Sequence, residues 1–185
     1  MIGYGFYRNA SVDAPAGKVT AGFTNRVAAG VVIGEDLYQH FSGELRYVYQ
    51  DGDPFVSSGS TKGNTQGQSH SVHYDMLFHA RPREARLRPF GAVGVGLKYF
   101  ETTGPAPVQQ PFPGIVTLTN DSELRLLVSV GGGVKYRFGN HVILRGDFRD
   151  YISPFPKRLF VPAQGGTDRG IFHQFTPMFG VSYWF

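Results

Sequence analysis

The 185-residue sequence contains no cysteine, which excludes disulfide bonds and any thiolate metal site. It contains no run of about 18 apolar residues, so no transmembrane helix can be read from it. No stretch couples a charged start to an apolar core, so no secretory signal peptide is visible. The expectation is a mature or trimmed chain, with Met1 a product of the trimming. Long helical periodicity is absent too. Lys and Arg number 18 against 14 Asp and Glu, for a net charge of +4 and a pI near 9.4, but the basic residues are scattered. A nucleic-acid footprint would cluster them with exposed aromatics on one face, so no nucleic-acid partner is expected. Mean hydropathy is −0.19, which reads as soluble for a helical protein. That inference fails for a β-barrel, where only every second strand residue meets lipid.

What the sequence holds in quantity is glycine (25), phenylalanine (16) and tyrosine (10). The last fifteen residues, IFHQFTPMFGVSYWF, show how they are arranged. Phe185, Tyr183, Val181, Phe179, Pro177 and Phe175 form one alternate set, apolar except where Pro177 interrupts it. Trp184, Ser182, Gly180, Met178, Thr176 and Gln174 form the other, which is smaller and more polar. Successive side chains of a strand point to opposite faces, so this is a strand with one oily and one mixed face.

The same alternation recurs upstream. Phe41, Gly43, Leu45, Tyr47 and Tyr49 stand against Ser42, Glu44, Arg46, Val48 and Gln50. Val72, Tyr74, Met76 and Phe78 stand against Ser71, His73, Asp75 and His79. Val93, Val95, Leu97 and Tyr99 oppose Arg88, Ala92, Gly94, Gly96 and Lys98. Leu124, Leu126, Val128, Val130, Val134, Tyr136 and Phe138 oppose Glu123, Arg125, Ser129, Gly131, Gly133, Lys135 and Arg137. Val142, Leu144 and Phe148 oppose Arg145, Asp147 and Arg149. Two less regular runs, 2–12 and 19–33, come first, with a turn at 13–18 and an irregularity at Asn25-Arg26. The count is eight strands. Connections at 53–68, 102–120 and 153–170 are long, without strand pattern, and read as solvated loops; those at 34–40, 81–86 and 139–140 are short. The turn at 13–18 falls in the long series but is itself short. Long loops at one end, short turns at the other and an even count that pairs the first strand with the last describe an outer-membrane barrel.

Alternation alone fits two solutions. A soluble lipocalin-like carrier hides the oily face; a membrane barrel turns it outward. Three features favour the membrane. Strands of about 11–15 residues suit a tilted crossing, which needs roughly 9–11. Aromatics gather at strand ends, at Tyr47, Tyr49, Tyr99, Phe100, Tyr136, Phe138, Tyr183 and Phe185, as they do at membrane interfaces. Glycine is frequent on the polar face, as the crowded interior of a small barrel requires.

The C-terminal strand, with Phe179, Val181, Tyr183 and Phe185 at alternate positions, resembles the assembly signal of bacterial outer-membrane proteins. The stretches SHSVHYDMLFHARPREARLRPFGAVGVGLKYF and VGGGVKYRFGNHVILRGDFRDYISP resemble small outer-membrane β-barrel domain proteins of the OmpA/OmpX-like type. The resemblance spans essentially the whole chain. It implies an all-β fold, an eight-stranded antiparallel up-and-down transmembrane β-barrel forming a single domain over 1–185. It further implies a bacterial outer-membrane location, contact with outer-membrane lipid and lipopolysaccharide, and recognition by the outer-membrane assembly machinery. It is specific for architecture and silent on activity.

The inward face then carries Glu44, Arg46, Asp75, Arg88, Lys98, Glu123, Arg125, Lys135, Arg137, Arg145, Asp147 and Arg149, joined by His73 and His79. An eight-stranded barrel is just wide enough for side chains to fill. Charges there must pair, because an unpaired buried charge is costly. The expectation is a salt-bridged plug; a narrow channel for small polar or hydrophobic solutes is the alternative. His73, Asp75 and His79 share a face, but His79 lies about 13 Å along the strand from Asp75, too far for one ion. No metal site and no cofactor are expected. Ser69 to Asp75 holds hydrolase residue types, but His70 has the opposite parity to Ser71, His73 and Asp75, and no Gly-x-Ser-x-Gly elbow occurs, so no catalytic residues and no enzyme are expected. Arg145-Gly146-Asp147 falls within a strand and reads as part of the internal ion network rather than an adhesion tripeptide. The glycine runs at 91–96 and 131–133 sit mid-strand with no helix following, so they are not phosphate loops. The function expected is structural or surface-interacting, through three outer loops and an unidentified loop ligand.

Overall fold

A period of two kept over long runs lets a strand hold one face against lipid and the other against a lumen. The computed structural model describes residues 1–106, 110–139, 141–165 and 167–184. In chain order its strands are β1 (Ile2–Arg8), β2 (Ala10–Ala14), β3 (Gly17–Phe23), β4 (Arg26–Asp36), β5 (Phe41–Asp51), β6 (Pro54–Ser58), β7 (Thr61–Asn64), β8 (Gly67–His79), β9 (Leu87–Thr102), β10 (Val116–Leu118), β11 (Ser122–Phe138), β12 (Val142–Pro154), β13 (Phe160–Pro162), β14 (Thr167–Arg169) and β15 (Ile171–Tyr183). Eight of them close a barrel in the order β1-β15-β12-β11-β9-β8-β5-β4. Every neighbouring pair is antiparallel, and β1 pairs with both β4 and β15, so no edge is left open. The fold is the eight-stranded up-and-down barrel that the alternation predicts.

The first two runs differ from expectation. The run over 2–12 is two strands: β1 ends at Arg8, and β2 turns back with β3 as a hairpin. Gly17, at φ 137°, occupies a left-handed conformation at that turn which a side chain would strain. The run over 19–33 is broken after Phe23. Asn25 Oδ1 accepts the Tyr7 amide at 2.9 Å, and the Thr24 amide donates to the Asp53 carbonyl at 2.9 Å. The first connection is therefore 9–25, long like the other three, and four outer connections stand where three were expected.

Those connections are not solvated loops. The second folds into the β6–β7 hairpin. β14, β2, β3, β6 and β7 form a five-stranded sheet, and β10 pairs with β13. Beneath them lies the largest apolar core among the described residues. It joins Val12, Val19, Ala21, Phe23, Val56, Val116, Leu118, Phe155, Leu159 and Phe160 from the connections to Tyr7, Phe100 and Phe172, which point into the barrel. At the other end the connections 37–40 and 80–86 are short.

Candidate functional site

The lumen is stratified. Nearest the short turns, Arg88 donates to both carboxylate oxygens of Asp36 at 3.1 Å, and Asp36 also accepts from Ser42 at 2.5 Å. His79 Nε2 bonds the Ser42 hydroxyl at 2.8 Å. Above this lies the ion network. Arg145 grips Glu44 with both terminal nitrogens, at 2.9 and 3.0 Å, and reaches Asp147 at 3.0 Å. Lys135 meets Glu44 at 2.7 Å. Arg46 donates to Asp147 at 2.7 and 3.3 Å and approaches Glu44 at 3.5 Å and Asp75 at 3.7 Å. Arg149 meets Asp75 at 3.2 Å. Four cations and three carboxylates are thus interlocked, with Arg46 and Arg149 both 0% exposed.

The register explains why these residues meet. Glu44 and Asp75 are direct partners across β5 and β8, as are Arg46 and His73. Lys135 and Arg145 are partners across β11 and β12. The two pairs of strands face each other across the barrel, and long side chains bridge the gap. His73 points its Nε2 at Asp75 from 3.5 Å and packs its ring edge-on against Tyr151 at 5.1 Å. Ala28, Val48, Leu127, Tyr151 and Met178 form an apolar layer beside the network.

Five of the sequence-predicted charges lie elsewhere. Arg88 pairs at the inner mouth with Asp36, which lies at the end of β4 and not in the expected connection 34–40. Arg137 bonds the Glu84 carbonyl at the same rim and lies over the Trp184 ring at 5.4 Å. Glu123 and Arg125 pair with each other at 2.5 Å near the outer end, where Glu123 also accepts the Arg158 amide at 3.0 Å. Lys98 has no carboxylate partner among the described residues. It is 1% exposed, hydrogen-bonds the Gln174 side chain and lies over the rings of Tyr7 at 5.3 Å and Phe100 at 4.9 Å. The β-sheet parity of Lys98 is readable in the sequence; its aromatic surroundings are assembled from distant strands and are not.

The outer mouth is closed by rings. Phe23 stacks on Phe100 at 5.3 Å and makes edge contacts with Phe160 at 5.7 Å and Phe172 at 5.4 Å. Tyr7 packs on Phe23 at 5.2 Å. Phe23 and Phe160 come from the outer connections, so this closure was hidden from strand-by-strand reading.

The outer wall is the opposite of the lumen. Ile2, Ile33, Val95, Leu126, Phe179 and Val181 are all exposed, Val95 to 67% and Leu126 to 72%. A continuous apolar belt of this kind needs a nonpolar surround. A lipocalin-like carrier would instead need an oily lumen, and the lumen holds the charges. Of the predicted assembly signal, Phe179, Val181 and Tyr183 lie outward on β15; Phe185 lies outside the described residues. Ser71, His73 and Asp75 are buried inside the wall, while His70 faces outward, bonded to the Tyr47 hydroxyl at 2.8 Å and 3.7 Å from Glu101. Arg145 and Asp147 of the RGD tripeptide point inward and bind each other. Among the described residues no three metal-ligating side chains converge.

No family model matches the chain, and no curated protein sequence is similar to it. Solved structures are. Neisserial surface protein A (NspA) aligns over 100% of this chain and 96% of its own, with a TM-score of 0.56 at 11% identity. The N-terminal β-barrel domain of Pseudomonas aeruginosa OprF aligns over 98% and 95%, with a TM-score of 0.44 at 15% identity. Ail, the attachment invasion locus protein of Yersinia pestis, solved with the heparin analogue sucrose octasulfate, aligns over 98% and 94%, with a TM-score of 0.45 at 10% identity. The likeness to NspA is one of fold, and the fold is that of a small eight-stranded outer-membrane β-barrel.

Proposed function

We propose that this protein is an integral barrel of a bacterial outer membrane with a structural or surface-interaction role and a lumen closed to solutes. The observation that carries this reading is a double closure. Arg46, Arg145 and Arg149 interlock with Glu44, Asp75 and Asp147 in the inner half. Tyr7, Phe23, Phe100 and Phe172 pack together at the outer mouth. A water-filled path would have to break both, one costly because buried charges lose their partners and the other because apolar area is exposed. The four outer connections, folded into sheets over an apolar core, form a fixed surface suited to lipopolysaccharide or a protein partner outside the cell.

The test is electrical. Protein refolded into planar bilayers is expected to give no unitary conductance steps at ±100 mV applied potential, roughly the scale at which membrane fields act on charges. Reproducible steps of one size would instead support a narrow channel. Heat-modified mobility in SDS, with a β-type far-UV spectrum, is the accompanying check that the barrel has formed.

A further inference from the structure

The inner mouth is far more basic than the plug requires. A pocket open to solvent at the short-turn end is lined by Arg83, Arg86, Arg88, Lys135 and Arg137, with Asp36 the one carboxylate in its wall and Trp184 beside it. Two of the five cations are already neutralised: Arg88 by Asp36 at 3.1 Å, and Lys135 by Glu44 at 2.7 Å. The other three have no carboxylate partner among the described residues. Arg137 bonds only the Glu84 carbonyl, and its guanidinium lies 5.4 Å from the centre of the Trp184 ring. The Glu84 carboxylate lies in the same turn but accepts from Gln39 at 3.4 Å and is ion-paired to none of the three arginines among the described residues.

Three arginines gathered at one opening, with no carboxylate partner among the described residues, repel one another. Solvation of a short turn needs charge but does not need it to converge. Arg88 adds a second observation: it is 7% exposed, and its Nε has no hydrogen-bond partner. Guanidinium groups present planar forks that match the paired oxygens of a phosphate or a carboxylate, which a chloride ion does not. A phosphate group, with three acceptor oxygens and up to two charges, can meet more than one fork at once.

We propose that the inner mouth is a binding site for a phosphate-bearing anion, held by Arg83, Arg86 and Arg137 over the fixed Arg88–Asp36 pair. The site is separate from the closed lumen above it and does not depend on the protein's role at the outer surface. Its ligand is a soluble phosphate compound or the headgroup of an anionic lipid in the adjoining leaflet; both present the same group.

Trp184 is the single tryptophan of the chain, so its fluorescence reports on this pocket alone. The experiment titrates inorganic pyrophosphate into protein refolded in zwitterionic detergent, with sodium chloride at matched ionic strength as the reference. The expected result is a saturable change in Trp184 emission that chloride does not reproduce. The variant Arg83→Ala/Arg86→Ala, whose side chains are exposed and outside the ion network, is expected to weaken it at least tenfold while keeping heat-modified mobility. The titration is then repeated in nanodiscs with and without phosphatidylglycerol. A response to the lipid itself, with loss of the pyrophosphate response, assigns the site to a headgroup; an unchanged pyrophosphate response assigns it to a soluble anion. A change that never saturates, that chloride matches, or that survives the double substitution overturns the proposal.

Discussion

Glu44, Asp75, Arg145, Asp147 and Arg149 each have a glycine as a ladder partner: Gly34, Gly94, Gly180, Gly133 and Gly131. The pairing has a steric cause. At Gly34, Gly94, Gly131 and Gly133 a Cβ would run into the charged side chain opposite and into a neighbouring backbone carbonyl as well; at Gly180 it would meet Met1 instead. A Cβ on Gly133 would fall 2.6 Å from Asp147 Cβ, and one on Gly131 would fall 2.8 Å from Arg149 Cδ. Gly133→Val should therefore push Asp147 off its partners and lower stability by about 1–3 kcal/mol in urea unfolding from vesicles. Gly91→Ala is the control, because nothing lies within 4 Å of that position, and it should change stability by no more than about 0.5 kcal/mol. Asp147 itself joins Arg46 at 2.7 Å to Arg145 at 3.0 Å. Asp147→Ala removes the hydrogen-bonded partner of Arg46, leaves Arg145 to Glu44 alone and takes one negative charge from a buried network, and should cost about 3–5 kcal/mol in the same assay.

At the scale of elements, the barrel strands and the outer cap solve different problems with one pattern. Strands β8, β9, β11 and β12 alternate because lipid lies on one side and charge on the other. The hairpin β2–β3 alternates because Val12, Val19 and Ala21 cover an apolar core while its other face is more open. The cap's centre is Phe23, which touches Tyr7, Phe100, Phe160 and Phe172. Phe23→Ala should cost the cap about 3–5 kcal/mol. Because the barrel ladder does not depend on it, the loss should show as protease cleavage within the outer connections of intact, heat-modifiable barrels; unchanged resistance would mean that the cap has no such keystone.

This shared pattern explains what was legible. The faces of Glu44, Arg46, Asp75, Arg145, Asp147 and Arg149 follow from parity alone, and the barrel places all six inward. Parity does not say where a strand leaves the barrel, so the run over 2–12 hides the break at Asn9 between β1 and β2. Nor does composition reveal a folded loop. Val56, Val116, Leu118 and Leu159 lie in apolar runs of one to three residues, too short to show a period, and become a core only when four distant connections meet. Asp36 was unreadable as the Arg88 partner for the same reason: the two are 52 residues apart and meet only through ring closure.

For the whole molecule, the decisive feature is inversion. Arg46 and Arg149 are fully enclosed while Leu126, Val95 and Phe179 stand exposed, the reverse of a soluble domain. Water on the outer wall would leave this apolar belt unsatisfied; hydrocarbon satisfies it, and the closed ladder satisfies every barrel-strand edge. The absence of native cysteine makes the claim directly measurable, since one introduced thiol carries one label. The measurement is the collision accessibility of spin labels at Val95→Cys and Leu126→Cys in lipid vesicles. An outer wall set in hydrocarbon gives high accessibility to oxygen, which partitions there, and low accessibility to a water-soluble nickel chelate at both positions. High accessibility to the chelate at both would place the oily face in water and contradict this setting.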